Sequence, residues 1–317
     1  MINWGIVGAG NIARRFTISL KQSQHGKLYA IASYGKDNRA RWKEEYPEVI
    51  TYDDYTKLLD DPHVDAVYVA TRHKDHYQWC KEALLRKKTV LCEKPATLEY
   101  QQTKELCDLA RENQVFFMEA MKTRFIPLIT DIKRVIDDGI LGDILRVETC
   151  FAYQVGYRPG HYLHEKDQGG ILNDVGSYNL ASILDYIHSP IKHITSKVQY
   201  EYEVDANDII ELAFESGQTA LIDIAFNENK EKKMTIYGTL GKLIANPFYR
   251  PEEATIILNS GEEYKIEKSY IYDDFYTEIE EVHYCVFNHL NESSRMSHQD
   301  SLDIIEATEK IRKSFHE

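Results

Sequence analysis

A short glycine-rich turn near the start of the chain constrains the fold more than any other feature of the sequence. It occupies Gly8–Ala13 and lies between an apolar run, Trp4–Val7, and a stretch with helical apolar spacing. In such a strand–turn–helix setting Gly8 allows the tight turn, Gly10 lets a pyrophosphate approach the backbone, and Ala13 permits close packing. The amides and dipole at the helix start favour an anion, so the pattern predicts a dinucleotide site. The residues predicted to bind the dinucleotide here are Gly8, Gly10, Asn11 and Ile12.

Short apolar runs alternate with helical patterns throughout the first part of the chain. Near-continuous apolar strands separated by helices are typical of a parallel sheet covered on both faces. Such a sheet binds ligands at the carboxyl ends of its strands. The sequence therefore predicts an α/β fold whose residues 1–121 form a Rossmann domain with a doubly wound parallel sheet. The predicted strands are Trp4–Val7, Leu28–Ser33, Ala66–Ala70, Val90–Cys92 and Val115–Met118.

The pattern changes from about Leu145 onward. Apolar and polar residues alternate over Ile210–Phe214 and Ala220–Phe226, and further short β-rich runs follow, separated by glycines. Alternation of this kind is typical of antiparallel strands joined by hairpins. Residues 122–317 are therefore predicted to form a C-terminal α+β domain with a large, open, mostly antiparallel sheet. A helix that ends near Asp137 is expected to bridge the domains, and two helices to close the chain.

The end of the second predicted strand bears on the choice of cofactor. A site selective for NAD usually places an acidic residue here, about 20 residues after the glycines, to bind the ribose 2′-hydroxyl. This chain instead has Ser33, followed by Lys36 and Arg39. A carboxylate would repel a 2′-phosphate, whereas a hydroxyl and two cations can accept one. The sequence therefore favours NADP over NAD, the alternative being that Lys36 and Arg39 only form a solvated helix start.

Two further polar turns follow strands of the same sheet. Because the carboxyl ends of these strands face the ligand crevice, side chains in both turns are predicted to line the cofactor site. The ammonium of Lys94 can bind ribose hydroxyls or lower the pKa of a neighbouring phenol. His73 and His76 have no third ligand nearby in the sequence, so no metal site is predicted. The residues predicted to line the cofactor site in these turns are Thr71, His73, His76, Glu93 and Lys94.

A glycine-bounded segment, Gly169–Tyr178, opens the second half of the chain. Asp174 and Tyr178 are four residues apart near a predicted helix start, so both can face one cleft. A tyrosine can relay a proton to a carbonyl oxygen if a nearby cation stabilises the phenolate. Considered alone, the segment is also consistent with an N-capping Asp174 and a packed Tyr178.

These motifs, in this order, resemble the Gfo/Idh/MocA family of glucose–fructose oxidoreductases and inositol dehydrogenases. The residues that carry the resemblance are Gly8–Ala13, Glu93-Lys94-Pro95, and Gly170, Asp174, Gly176 and Tyr178. Further segments resemble the dimeric dihydrodiol dehydrogenase branch of that family. They are Thr71–His76, Met118–Pro127 and Asn246–Phe248.

The resemblance covers essentially the whole chain and implies NAD(P) bound between a Rossmann domain and an open-sheet domain. It also implies that Lys94 and Tyr178 lie at the reacting carbon with Asp174 nearby. Homodimers or higher homo-oligomers through the open face of the C-terminal sheet are expected. The implied reaction is hydride transfer between NAD(P) and a secondary alcohol (a sugar, polyol or vicinal diol) or its carbonyl, with Tyr178 exchanging the proton. Weaker candidates for the substrate pocket are Lys122, Arg124 and His161.

Two other functions are compatible with the same motifs. One is a nucleotide-sensing binding protein that uses this fold without turnover, since a fold does not fix a function. The other is a glycosidase that oxidises and re-reduces its sugar on a bound NAD. The presence of both Lys94 and Tyr178 favours an enzyme over a sensor.

The composition argues against several classes of partner. The 317 residues include 38 Lys and Arg against 51 Asp and Glu, a net charge of −13, whereas nucleic acids and anionic membranes attract clustered positive charge. No apolar run approaches the ~20 residues of a membrane span. The five cysteines are widely spaced and odd in number, as in a reducing compartment. Together with a start that lacks signal-peptide features, these observations predict a cytoplasmic enzyme with a small-molecule substrate.

Overall fold

The computed structural model describes residues 1–315, and the chain divides into two compact units. The first comprises Met1–Lys122 and Ile271–Leu302, and the second comprises Thr123–Tyr270 and the chain from Asp303 onward. The first segment ends within one residue of the boundary expected after residue 121. Residues 271–302 were predicted to belong to the second domain, but they pack in the first unit.

Six parallel strands form the sheet of the first unit. They are β1 (Ile2–Val7), β2 (Gly26–Ala32), β3 (Ile50–Tyr52), β4 (Ala66–Val69), β5 (Thr89–Glu93) and β6 (Phe117–Ala120). The helices that connect them are α1 (Asn11–Leu20), α2 (Lys36–Glu45), α3 (Tyr55–Leu59), α4 (His73–Leu85) and α5 (Tyr100–Asn113). The strand order is β3-β2-β1-β4-β5-β6, so the chain starts in the middle and winds outward in both directions. The predicted doubly wound parallel sheet is confirmed.

The central strands of this sheet explain why the first unit could be predicted. Every residue of β4 is buried, and β1 is buried except for one partly exposed side chain. Apolar side chains on both faces are what a sheet with helices on both sides requires. β3 was missed because it is a three-residue edge strand with partly exposed side chains, which gives too short a pattern to detect.

Eight strands form the sheet of the second unit. They are β7 (Ile144–Ala152), β8 (Ile191–Glu201), β9 (Val204–Phe214), β10 (Thr219–Ala225), β11 (Met234–Gly238), β12 (Gly241–Ala245), β13 (Glu253–Leu258) and β14 (Glu263–Glu267). Their order is β14-β13-β12-β11-β7-β10-β9-β8, and β7 with β10 is a parallel pair in an otherwise antiparallel sheet. The remaining helices are α6 (Pro127–Asp137), α7 (Ser177–Leu184), α8 (Tyr276–Phe287) and α9 (His298–Ser314). The predicted large, mostly antiparallel sheet is confirmed.

The two faces of this second sheet differ in chemistry. The face against which α7 packs is apolar and buried, with Ile210, Leu212 and Ile222 among its residues. The opposite, open face is mixed. Partly exposed Leu221 and Ile244 lie among charged pairs there. Those pairs are Arg146–Glu148, Lys230–Asp223 and Lys265–Glu253.

Segment 271–302 is attached to the first unit by polar contacts that span long stretches of sequence. The indole Nε1 of Trp4 donates to Nε2 of His283 on α8 at 2.9 Å, and both side chains are buried. Arg15 on α1 pairs with the buried Asp274 at 2.6 Å. Such contacts leave no periodic signal in the sequence, which is why this segment was assigned to the second domain. Within the described residues, no helix is long and apolar enough to cross a membrane.

Candidate active site

The glycine turn of the first unit has the geometry that a pyrophosphate requires. Gly8 has φ +104°, and a Cβ there would lie 2.5 Å from the carbonyl oxygen of Ala70, so a side chain is excluded at that position. A Cβ at Gly10 would meet nothing within 4 Å, so the space in front of this residue is open. Helix α1 starts with no side-chain cap and no acidic residue in its first turn, which leaves its first amides available to an anion.

The end of β2 presents a hydroxyl and two cations, as the sequence predicted. Ser33 is buried, and its Oγ accepts a hydrogen bond from the amide of Gly35 at 3.3 Å. One guanidinium nitrogen of Arg39 donates to the carbonyl oxygens of Ser33 and Tyr34, at 2.6 and 2.9 Å. Lys36 is exposed at the start of α2. The arrangement holds Arg39 at the strand end, where a 2′-phosphate would be recognised.

The turns after β4 and β5 are connected through one buried histidine. His76 is fully buried, and its ring nitrogens lie 2.8 Å from the carbonyl oxygen of Pro95 and 3.2 Å from that of Thr71. Burial lowers the pKa of His76, so the ring is neutral at physiological pH. Its contacts indicate that it positions the turn that carries Lys94, and neither nitrogen is directed at a free ligand site. His73 is also buried, with its ring centroid 5.8 Å from that of His76.

Besides His76, two acidic side chains also hold the turn that carries Lys94. Glu93 accepts a hydrogen bond from the hydroxyl of the buried Tyr68 and another, at 3.2 Å, from the amide of Lys94. Glu119, at the end of β6, is buried and accepts a hydrogen bond from the amide of Ala96 at 3.0 Å. No role for Glu119 was predicted from the sequence. A buried acid at the carboxyl end of the neighbouring strand was the signal that could have identified it.

In the second unit, Asp174 lies in a π-helical turn, Leu172–Gly176, that leads directly into α7. The hydroxyl of Tyr153 donates to one of its carboxylate oxygens, and the hydroxyl of Tyr162 donates to the other at 2.9 Å. Burial, and then the Asp174 charge, raises the pKa of Tyr153 well above its usual value. Tyr153 therefore stays protonated and serves as a fixed hydrogen-bond donor to Asp174. Neither tyrosine was identified from the sequence, because each is distant from any recognisable motif.

Tyr178 lies in the first turn of α7 and is 8% exposed. Its ring centroid is 6.1 Å from that of Phe151, near the end of β7, with an angle of 23° between the ring planes. The structure thus brings Asp174 and Tyr178 to adjacent turns at the carboxyl end of β7. The sequence predicted that two-residue arrangement, whereas the surrounding aromatic residues come from distant parts of the chain.

The weaker pocket candidates have partners within their own units. Lys122 is buried in the first unit and pairs with Asp274 at 2.8 Å. Arg124 is buried in the second unit and pairs with Asp185 at 3.2 Å. His161 precedes a short 3₁₀ turn, and its ring centroid lies 4.7 Å from that of Tyr162, one of the two donors to Asp174. Contact between the substrate and these three residues stays a prediction. Because Lys122 and Arg124 already pair with carboxylates, their charges are less available to a substrate.

One cluster of the first unit has the composition of a metal site, namely His25, Glu280 and His283. Its hydrogen bonds indicate another role. Trp4 donates to Nε2 of His283, so that ring carries its proton on Nδ1, which faces Glu280 at 3.0 Å. A metal bound at Nδ1 would require the proton to move to Nε2, against the indole N–H. Through the hydrogen bond from Trp4, the cluster therefore attaches α8 to β1.

The parallel sheet, the open glycine turn and the polar strand ends define the first unit as a dinucleotide-binding domain of an oxidoreductase. Comparisons with known proteins agree with that class. A family model described as an oxidoreductase family with an NAD-binding Rossmann fold matches residues 2–121, and the model of the GFO/IDH/MocA C-terminal domain matches residues 129–244. The chain belongs to the GFO/IDH/MocA family, and it is an NAD(P)-dependent oxidoreductase.

Individual relatives cover nearly the whole chain. A trans-1,2-dihydrobenzene-1,2-diol dehydrogenase of Danio rerio is 28% identical, with 98% of this chain and 96% of the relative aligned. A D-xylose 1-dehydrogenase (NADP(+)) of Hypocrea jecorina is 28% identical over 82% of this chain and 76% of its own. The similarity to the dihydrodiol dehydrogenase branch, inferred from short motifs, is confirmed.

Solved structures show the same fold over the full length. KijD10, a 3-ketoreductase from Actinomadura kijaniata in complex with NADP and TDP-benzene, superimposes with a TM-score of 0.91 at 23% identity, covering 99% of this chain and 97% of its own. An aldose–aldose oxidoreductase from Caulobacter crescentus gives a TM-score of 0.90 at 21% identity, with the same coverage.

Proposed function

We propose that the enzyme interconverts a secondary alcohol and its carbonyl compound, with a sugar, polyol or vicinal diol as the substrate class. The observation that carries this proposal is the arrangement around Asp174. Both of its oxygens accept hydrogen bonds from tyrosine hydroxyls, so the turn that presents Tyr178 is rigidly held. A phenol in the first turn of a helix that begins beside a hydrogen-bonded carboxylate is suited to exchange a proton with a substrate oxygen.

The proposed roles divide between binding, orientation and proton transfer. When bound, the nicotinamide donates or accepts the hydride. Tyr178 gives its phenolic proton to the carbonyl oxygen in the reducing direction and takes a proton from the hydroxyl in the oxidising direction. Lys94 binds ribose hydroxyls and, as a cation, lowers the pKa of the phenol. Asp174 orients a substrate hydroxyl, and Gly8, Gly10, Asn11 and Ile12 bind the pyrophosphate.

The remaining cofactor contacts are proposed by position. Ser33, Lys36 and Arg39 would bind the 2′-phosphate of NADP, which gives a preference for NADP over NAD. Thr71, His73 and Glu93 would line the nicotinamide side, and His76 would hold their turns in place. These assignments rest on the strand ends at which the residues lie, because ligands of such sheets bind there.

A cofactor absorbance screen tests the reaction. The purified protein is incubated with NADP⁺ or NAD⁺ and a panel of aldoses, polyols and vicinal diols, and the absorbance of the reduced nicotinamide is followed. Net accumulation of reduced cofactor with a polyol or sugar supports the dehydrogenase. Release of a free sugar from a glycoside without net reduction would instead indicate the glycosidase. Tight cofactor binding with no turnover on any alcohol or glycoside would favour the sensor.

We further propose a cytoplasmic homo-oligomer, a dimer or larger, that assembles through the open face of the second sheet. Partly exposed Leu221, Ile244 and Ile257 lie on that face, and Ile209 there is 40% exposed. The charged pairs between them allow a partner to be matched by charge as well as by apolar contact. Light scattering at micromolar concentration should show a dimer or larger particle, and Ile209→Lys should shift it toward monomer. A stable monomer would contradict this assembly.

A further inference from the structure

Three aromatic residues form a wall beside Tyr178 in the second unit. Tyr249 stacks on Phe151 with ring centroids 4.5 Å apart, and Phe248 meets Phe151 edge-on at 6.0 Å. The Tyr249 ring centroid lies 6.4 Å from that of Tyr178. Phe248 is fully buried, whereas Tyr249 is only partly buried. In this aromatic wall, Phe151, Phe248 and Tyr249, the two phenylalanines are buried and support Tyr249, whose partly exposed ring is the apolar surface next to the proposed proton donor.

Two cations lie on this aromatic wall. The ammonium of Lys232 is 5.3 Å from the ring centroid of Phe151, and the guanidinium of Arg250 is 5.2 Å from that of Tyr249. The amide of Phe248 donates to the carbonyl oxygen of Lys232 at 2.8 Å, so the loop before β11 is attached to the loop after β12. Each cation is thus one aromatic ring away from Tyr178.

The two cations on the aromatic wall differ from the neighbouring lysines in their ion pairing. In the same loop as Lys232, Lys230 pairs with Asp223 and Glu228, and Lys233 pairs with Glu231. Neither Lys232 nor Arg250 forms an ion pair with a carboxylate of residues 1–315. Acidic residues outnumber basic ones by 51 to 38. In so acidic a chain, two neighbouring cations without an ion-pair partner among residues 1–315 are unexpected.

On the basis of the proposed function, we propose that the substrate of the Tyr178 site carries an anionic group, a carboxylate or a phosphate, that Lys232 and Arg250 bind. The carbon skeleton lies against the aromatic wall and presents its hydroxyl or carbonyl carbon to Tyr178. The substrate class is thereby narrowed to acidic sugar or polyol derivatives, such as sugar acids and sugar phosphates. An ammonium and a guanidinium both form charge-assisted hydrogen bonds with such groups.

The two cations act at the far end of the substrate, away from the reacting carbon. Loss of a charge-assisted contact there weakens ground-state and transition-state binding equally, so KM rises while kcat is retained. The expected preference for an anionic substrate over its neutral analogue is about 10- to 100-fold in kcat/KM. Raising the salt concentration should reduce the preference, because exposed charges are screened.

The test compares matched substrates on the enzyme with NADP⁺: glucose, gluconate, glucuronate, glucose 6-phosphate, and pentose analogues of each. Lys232→Gln and Arg250→Gln should raise KM for anionic members about tenfold and leave the neutral members unchanged. Lys233→Gln is the matched control from the same loop and should change neither. The carboxylate and phosphate members identify which of the two anions the site prefers.

Calorimetric binding of the same compounds to the enzyme–NADP⁺ complex separates this inference from the proposed reaction. One outcome is that the wild-type protein binds anionic members without turning any over, and that Lys232→Gln no longer binds them. In that case the proposed reaction is wrong and the anion site stands. If neutral sugars are bound and turned over as well as anionic ones, and Lys232→Gln changes nothing, the anion site is overturned while the reaction stands. Absence of binding by every anionic member also overturns it.

Discussion

The cofactor region of the first unit and the Tyr178 region of the second are built by different means. The first is mostly backbone: a glycine turn, the start of α1 and the ends of parallel strands, all close together in the sequence. The second is mostly side chains: Tyr178, Asp174 and its two tyrosine donors, and an aromatic wall that draws on Phe151 and Tyr249. A backbone site recognises what every dinucleotide shares, whereas a side-chain site can be altered residue by residue.

The difference predicts how each region responds to substitution. In the backbone region, a single added side chain can remove ligand binding without harming the fold. In the side-chain region, the loss of one polar atom should remove chemistry while packing and cofactor affinity persist.

Tyr178→Phe should lower kcat by about 10²–10⁴, because it keeps the ring and removes the transferable proton. NADP(H) affinity should change little. Lys94→Ala should lose as much turnover and also weaken cofactor binding. Because the proposed mechanism uses both residues in one proton transfer, the double variant should be scarcely worse than the poorer single one. Steady-state kinetics and cofactor titration measure these effects.

A matched comparison is Tyr153→Phe, which removes a hydrogen-bond donor to Asp174 from a tyrosine that burial keeps protonated. It should cost about tenfold in kcat/KM, close to the value of one hydrogen bond to a charged group. If Tyr178→Phe keeps most of its kcat, Tyr178 is only a packed aromatic and the proton is exchanged elsewhere.

Gly10→Val should weaken NADPH binding by at least about 100-fold, or roughly 2.7 kcal/mol. The added side chain projects into space that is open in the protein itself and that the pyrophosphate needs, so the melting temperature should stay near wild type. Gly8→Ala should do the opposite and destabilise the fold, because φ there is +104° and its Cβ would lie 2.5 Å from a carbonyl oxygen. Fluorescence titration and thermal melts distinguish the two, and unchanged titration of Gly10→Val would refute the site.

Lys36→Ala with Arg39→Ala should reduce the ratio of kcat/KM for NADP to that for NAD by about 10-fold or more, since each cation contributes a charge-assisted contact to the 2′-phosphate. Arg41→Ala, an exposed cation on the same helix, is the control and should leave the ratio unchanged. A wild-type preference for NAD would contradict the cofactor assignment. An unchanged ratio in the double variant would contradict the residue assignment alone.

Asp208→Asn should stabilise the second unit by a few degrees at pH 8, which corresponds to about 1–2 kcal/mol for a domain of this size. Asp208 is fully buried on β9, and burial, then the charge of neighbouring Asp205, raises its pKa to about 9. Between the unfolded value near 4 and that pKa, the unfolded carboxyl is ionised while the folded one keeps its proton, so stability falls as pH rises.

The gain from Asp208→Asn should therefore grow from pH 5 to pH 9 in thermal melts. A gain that does not depend on pH would mean that the substitution acts through packing. Asp205 is the second carboxyl group of this pair. It accepts a hydrogen bond from the amide of Leu172 at 2.7 Å and lies close to Gly170, so it contacts the segment that carries Asp174. Asp205→Asn should be destabilising, because it replaces a charged acceptor of that amide with a weaker one.

The parallel sheet and its glycine turn could be predicted because their signals are local and repeated. Each buried strand is a continuous apolar run, and the conformation of Gly8, with φ +104°, excludes other residue types there. Lys94 and Tyr178 could be proposed as site residues because each follows a recognisable strand or glycine turn. Polar edge strands such as β3 and β14 gave no comparable pattern, since partly exposed positions accept many residue types.

The class of each unit and the residues attached to backbone turns follow from local sequence patterns. Which distant side chains meet is visible only in the folded chain: Tyr153 and Tyr162 contact Asp174, and Lys232 and Arg250 lie on the aromatic wall. The tertiary structure also assigned residues 271–302 to the first unit. The physical reason is that backbone conformation depends on near neighbours, whereas side-chain contacts depend on how strands far apart in the chain are aligned in a sheet.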